Sequence, residues 1–299
     1  MYDQILFPTD GSEPAESVLE YALQIAAEHE ATIHVLNVVD TSQDSPPGVQ
    51  EDVSDALEQD GTEIVNEAAQ RATERGIDVV SEVLHGDPYE AIVEYSTQSG
   101  IELMVMPTHG RRGLQRFLLG SVTERVINTA DVPVIAVNPG TQPLTYPSQE
   151  LLVPTDGSRG SELAVSEGVA LANATGATLH VLHVVETGSL GPDVRSLVKE
   201  EELTTRADEI IAAAIETAEA ATVDSVESEI EFGVPSKEIR NYIDAHDIDF
   251  AILGTHGKTD FSRYMMGGVS AKIVRTSPVP VMWVREPESS SGRDASVGG

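Results

Sequence analysis

At 299 residues the chain is long enough for two single-core domains, and its formal net charge of −32, from 50 acidic against 18 basic residues, disfavours general binding to nucleic acid or an anionic membrane. It has no cysteine, which removes disulfides, thiol chemistry and Cys-based metal sites. The first residues lack the basic start and apolar run of a signal peptide, and no apolar stretch approaches the ~18 residues of a membrane span, so the expectation is a soluble, cytoplasmic protein. Only four of the basic residues are Lys, at 199, 237, 258 and 272, and so acidic and Lys-poor a composition suits a cytoplasm with molar salt.

In chain order, Gln4-Ile5-Leu6-Phe7 is a buried strand closed by the turn Pro8-Thr9-Asp10-Gly11-Ser12. Asp10 or Ser12 caps a helix carrying Val18, Leu19, Ala22, Ile25 and Ala26 at helical spacing. Residues 32–39 form a second apolar strand, and a long acidic helix from about Asp52 to Arg75 ends at Gly76. Residues 77–84 alternate as a third strand, and Pro88 begins a helix to Gln98. The fourth strand, 102–106, runs into Thr108-His109-Gly110, and a helix near 120–128 leads to a fifth strand at 132–137.

The same series then repeats. Pro154-Thr155-Asp156-Gly157-Ser158 lies 146 residues after the first turn, and Thr255-His256-Gly257 lies 147 after the second motif. Strands are predicted near 150–154, 177–185, 225–232, 249–253 and 279–284, with helices near 160–174, 196–221, 235–246 and 267–276. Apolar strands alternating with helices predict an α/β fold: two tandem doubly wound parallel five-stranded sheets, one at 1–140 and one at 148–286. Residues 138–148 read as a linker and the Ser/Gly-rich stretch 287–299 as a disordered tail. Pro133 and Pro280 fall in the fifth strands, which marks these as edge strands; pairing of the two edges would make the chain an intramolecular pseudo-dimer.

Both repeated motifs follow strands, at the carboxyl ends of strands one and four. A doubly wound sheet opens its ligand crevice there, so Asp10 should face Gly110, and Asp156 should face Gly257. Widely spaced glycines ahead of a helix let backbone N–H groups approach an oxyanion, and the helix dipole adds ~0.3–1 kcal/mol. Eight of the eighteen basic residues gather beside these loops: Arg111, Arg112, Arg116 and Arg125, then Lys258, Arg263, Lys272 and Arg275. That reversal of sign favours an anion site, against the alternative of helix-surface ion pairs. Other chemistries fit poorly. Gly254 and Gly257 are separated by two residues and not the four of a Walker A loop, and no Gly-x-Gly-x-x-Gly follows a first strand. His109 and His256 read as loop-structuring or ligand contacts, and no local His/carboxylate spacing marks a metal site.

The pattern Gly-x-x-Gly-x9-Gly-Ser/Thr after the fourth strand, with Asp-Gly-Ser after the first, resembles the universal stress protein family of adenine-nucleotide-binding α/β domains, across both halves. Residues 34–40 and 180–186 are similar to its second strand. The resemblance implies strand order 3-2-1-4-5, dimerisation through the fifth strand, and ATP at the switch point in one subgroup but no nucleotide in another. It places Asp10 and Asp156 near adenine, ribose or a metal, with Val38 and Val184 contacting adenine through their backbone. Gly110, Gly120 and Ser121 would hold phosphates in the first half, and Gly257 and Gly267 in the second. The full implied set adds Pro8, Thr9, Arg111, Arg112, Gly113, Val122 and Thr123, then Pro154, Thr155, Gly254, Lys258, Gly268, Val269 and Ser270. Pro107 stands where the family pattern has its first glycine, and Gly268 where it has a hydroxyl. ATP, accompanied by Mg2+ or Mn2+, is the implied cofactor, in a stress-linked regulator or sensor with at most slow hydrolysis. The alternatives are a nucleotide-free interaction scaffold and an adenylate-transferring or pyrophosphate-splitting enzyme. Nucleic acid and membrane are not implied partners; a homodimer of the whole chain is compatible with the reading.

Overall fold

The computed structural model describes residues 1–41, 50–110, 119–140, 144–187, 200–255 and 266–286. The first half runs β1 (Gln4–Pro8), α1 (Glu13–Glu28), β2 (Thr32–Asp40), α2 (Gln50–Glu74), β3 (Val79–Gly86), α3 (Pro88–Gln98), β4 (Leu103–Pro107), α4 (Ser121–Thr129) and β5 (Val134–Val137). The second runs β6 (Glu150–Pro154), α5 (Arg159–Thr175), β7 (Thr178–Glu186), α6 (Glu200–Ala220), β8 (Val226–Gly233), α7 (Pro235–Ala245), β9 (Phe250–Gly254), α8 (Gly268–Thr276) and β10 (Val281–Val284).

Local chemistry sets the boundaries. The Ser12 hydroxyl accepts from Ala15 N to begin α1, Ser158 does the same for Ser161 N at α5, and the Asp87 carboxylate accepts from Tyr89 N at α3. α5 stops at Gly176, whose φ of 74° is left-handed. The inner strands, apolar on both sides, are covered on both faces, and within each half the strands run parallel in the order 3-2-1-4-5.

The two five-stranded sheets join into one sheet of ten, ordered β3-β2-β1-β4-β5-β10-β9-β6-β7-β8. The joint is antiparallel, with Val281 opposite Ala136, Met282 opposite Ile135 and Trp283 opposite Val134. The expectation for the prolines needs one correction. Pro133 and Pro280 sit just before β5 and β10, and these are the innermost strands of the chain; β3 and β8 form the outer edges. The prolines are tolerated because only their carbonyls enter the ladder, accepting from Met104 N (3.0 Å) and Ala251 N (3.1 Å).

One core fills each face of the sheet and runs across both halves. The first lies under α1, α2, α5 and α6, with Ile5, Tyr21, Ile25, Val153 and Leu171. The second lies under α3, α4, α7 and α8, with Met104, Ile127, Ile243 and Trp283. Polar ties cross the seam. Arg285 donates to Thr129 O (2.8 Å), Arg275 lies 3.7 Å from Glu124, and the Tyr2 hydroxyl donates to Glu167. Among the described residues no helix is long and apolar enough to cross a membrane.

Candidate functional site

The loop after β1 is held from three directions. Asp10 Oδ1 accepts from Ser12 N (3.0 Å) and Thr9 Oγ1 from Gly11 N (3.2 Å), while Gly11 takes a left-handed φ of 67°. Asn37 Nδ2, on the neighbouring β2, donates to Thr9 O at 2.8 Å. The second half repeats the arrangement. Asp156 Oδ1 accepts from Ser158 N (2.9 Å), Gly157 has φ 67°, and His183 Nδ1 donates to Thr155 O at 2.7 Å. Asn37 and His183 were not among the expected site residues. Their signal was a second polar residue, three after His34 and His180, at matching positions of two mostly apolar strands.

The loop after β4 meets this turn. Thr108 N donates to Val137 O (2.8 Å), and Gly120 N returns to Thr108 O (2.7 Å), closing the loop on itself. At Gly110 a Cβ would collide with Oδ2 of Asp10, so the glycine lets the two loops meet at the switch point, as the sequence reading required. His109 Nδ1 lies 3.2 Å from Thr108 Oγ1, and burial holds its imidazole below the ordinary histidine range. The segments that follow, containing Arg111, Arg112 and Gly113 in one half and His256, Gly257 and Lys258 in the other, lie outside the described residues.

Two helix N-termini point into the same ends of the sheet. α4 begins after Gly120 and α8 after Gly267, neither with a side-chain cap, whereas α1, α3 and α5 are capped by Ser12, Asp87 and Ser158. Ser121 and Gly268 are the first, exposed residues of these helices, with Val122 and Val269 partly buried beside them. Thr123 and Ser270 turn inward. Their hydroxyls donate to Pro107 O (2.9 Å) and Gly254 O (3.1 Å), tying each helix to the end of its strand.

Val38 and Val184 lie near the carboxyl ends of β2 and β7. The alternate residues Thr32 and Leu36 bond toward β1, so the N–H and C=O of Val38 point the same way, beyond the point where β1 turns off after Pro8. Val184 repeats this beyond Pro154. Their side chains pack on the second core.

Gly254 is the last residue of β9, and its missing side chain is a packing requirement: a Cβ there would lie 2.6 Å from the Gly160 carbonyl carbon at the start of α5. Pro107, its counterpart, likewise ends β4 and pairs with Val137. Two of the clustered cations serve as surface partners. Arg125 lies 3.5 Å over the Tyr89 ring and 3.4 Å from Asp87, and Arg275 pairs with Glu124 across the seam.

A universal stress protein family model matches residues 1–138 and again 148–285. The chain belongs to the universal stress protein family. As a tandem member it is 27% identical to a universal stress protein of Archaeoglobus fulgidus whose crystal structure aligns with a TM-score of 0.70, over 94% of this chain and 98% of that one. A universal stress protein of Mycobacterium tuberculosis strain H37Rv is 27% identical over 294 residues, 94% of this chain and 97% of its own length. One from Methanocaldococcus jannaschii is 38% identical over 140 residues, 46% of this chain and 82% of its own. The two long matches each cover 94% of this chain and so span both halves of this universal stress protein.

Proposed function

We propose that this tandem universal stress protein binds an adenine nucleotide, ATP in the first instance, in the crevice between the β1 and β4 loops, and that occupancy of the crevice serves a regulatory or sensing role. The observation that carries this reading is the meeting of Asp10 with Gly110 beneath the uncapped start of α4. A hydrogen-bonding carboxylate and a set of backbone N–H groups thereby share one opening at the switch point.

In this reading the backbone of Val38 receives the adenine edge, and Pro8 and Thr9 shape the floor beside it. Asp10 orients the ribose hydroxyls or a Mg2+ or Mn2+ ion. Gly110, Gly120 and Ser121, with Val122 behind them, take the phosphates. Arg111, Arg112 and Gly113 belong to the same proposed set by sequence. The second half offers Pro154, Thr155, Asp156, Val184, Gly257, Lys258, Gly267, Gly268 and Val269. Thr123 and Ser270 support the phosphate loop from behind through their bonds to Pro107 and Gly254. Phosphate on a helix N-terminus is stabilised by ~0.3–1 kcal/mol from the dipole alone, and charge-assisted bonds to N–H and hydroxyl groups add roughly 1.5–3 kcal/mol each.

The test is mass spectrometry of small molecules released on denaturing freshly purified protein. An adenine nucleotide in the released fraction is expected. Protein that releases none and leaves added ATP unbound would instead be a scaffold of the same fold.

A further inference from the structure

A second cluster of ligand-type side chains lies at the opposite, amino-terminal end of the strands, in the second half. His180 of β7 is buried, Glu227 of β8 is exposed, and His246 caps the carboxyl end of α7. One ligand atom from each lies within 4.8 Å of the other two, the one such group of three among the described residues. We propose that His180, Glu227 and His246 bind one first-row divalent transition-metal ion of the Zn2+ class.

The chemistry of the donor set supports this. Two imidazoles and a carboxylate are a zinc-type set, and bonds of about 2.0–2.2 Å in a tetrahedron place ligand atoms roughly 3.3–3.6 Å apart. His180 Nδ1 and Glu227 Oε2 already stand 3.6 Å apart. The remaining contraction falls on Glu227 and His246, which are exposed and partly exposed respectively. The second partner of His180 is equally specific. Its Nε2 donates to Glu150 Oε2 at 2.8 Å, which leaves the Nδ1 lone pair facing Glu227 and His246. A carboxylate behind a ligating histidine is the usual device for fixing tautomer and raising basicity. Tyr242 Oη now donates to Nδ1 at 3.0 Å, so a metal competes with that one hydrogen bond. The Tyr242 ring in turn positions His246, stacked at 3.9 Å between centroids and 16° between planes. Glu229, 3.6 Å from His246 Nε2, adds negative potential.

The first half separates a structural role from a metal-binding one. There His34 keeps the same two hydrogen bonds, to Tyr95 Oη (2.8 Å) and Gln4 Oε1 (2.7 Å). The His–Tyr pair therefore belongs to the fold. At the positions of Glu227, His246 and Glu150, however, the first half carries Val80, Ser99 and Gln4. The full set of candidate ligating groups is present in the second half only.

Calorimetric titration of the full chain with Zn2+, in about 1 M KCl to screen the acidic surface and with Mg2+ in excess, tests the proposal. One Zn2+ per chain is expected, with affinity reduced at least tenfold by His246→Ser and by Glu227→Val. Both introduce residues that the first half already carries, so the fold should survive, and circular dichroism of the metal-free variants checks that it does. Glu150→Gln should weaken binding about 10–100-fold as a partner behind the ligand. Tyr242→Phe, which removes the competing hydrogen bond, should not weaken it. In Co2+-loaded protein, visible absorption of a tetrahedral nitrogen-containing site should vanish in His246→Ser. Failure to bind stoichiometric Zn2+, or affinity unchanged by His246→Ser in folded protein, would overturn the assignment.

Discussion

At the scale of single residues, the account turns on Gly110. Its hydrogen side faces Oδ2 of Asp10 so closely that any Cβ must displace either the carboxylate or the loop. Gly110→Ala is therefore expected to lower nucleotide affinity at least tenfold, about 1.4 kcal/mol, because Asp10 and the phosphate loop can no longer share the crevice. Gly110 itself is part of neither core, so the melting temperature should stay within a few degrees of the parent; titration with ATP and a thermal melt check the two halves of that statement. His29 carries a second expectation. It packs edge-to-face against Tyr2 and lies 2.7 Å from Tyr146 Oη at the junction of the halves; burial first, and then the N-terminal ammonium, push its pKa down to about 4. An unfolded chain has the ordinary value of 6.5, so between those values it takes up more protons than the folded one. Stability present above pH 6.5 should fall as pH drops toward 4, and His29→Gln should flatten that part of a urea-denaturation series. A slope unchanged by the substitution would contradict the assignment. The meeting of Asp10 and Gly110 was legible in the sequence because duplication and the switch-point rule locate both. Asn37 and His183 were not, since strand patterning reports burial and says nothing of which carbonyl a side chain will reach. His180, Glu227 and His246 come from three separate elements, and only the strand order brings them together.

At the scale of elements, the uncapped helices α4 and α8 explain why the two halves should differ. Ser121 offers a hydroxyl at the first turn of α4, while Gly268 offers none at α8. A Cβ at Gly268 would meet nothing within 4 Å. Gly268→Ser should thus be accommodated and should strengthen nucleotide binding in the second half by about tenfold, with Ser121→Gly weakening the first half by a similar factor. Site-resolved titration, with the other half disabled, measures both; equal affinities before and after would remove the hydroxyl from the account. Pro107 and Gly254 do not differ in where they lie. Both end strands, and Gly254 serves the approach of α5. Sequence spacing located the motif correctly but could not tell a strand's last residue from a loop's first. Element order was legible because the inner strands are apolar runs, the third and eighth alternate, and six of the eight helices have a Ser, Asp, Gly or Pro at their start.

At the scale of the whole molecule, the two halves form one ten-stranded sheet with a core on each face. The proline-marked edges foretold the β5–β10 joint, although in the chain those edges become its centre. The seam ties of Tyr2, Arg275 and Arg285 could not be foreseen, because partners across a seam depend on the register of that joint. A net charge of −32 makes the compact state repel itself, and screening shortens from ~10 Å at 0.1 M to ~3 Å at 1 M salt. The melting temperature should accordingly rise between roughly 0.1 and 1 M KCl; a flat or falling series would remove the high-salt reading of the composition. The central claim, that the crevice between the β1 and β4 loops takes an adenine nucleotide, is tested most directly by calorimetric titration of the intact chain with ATP and Mg2+. Saturable binding with Kd below about 1 mM, weakened at least tenfold in Gly110→Ala, is the expected result. No saturable binding at about 1 mM ATP, or binding indifferent to Gly110→Ala, would contradict it.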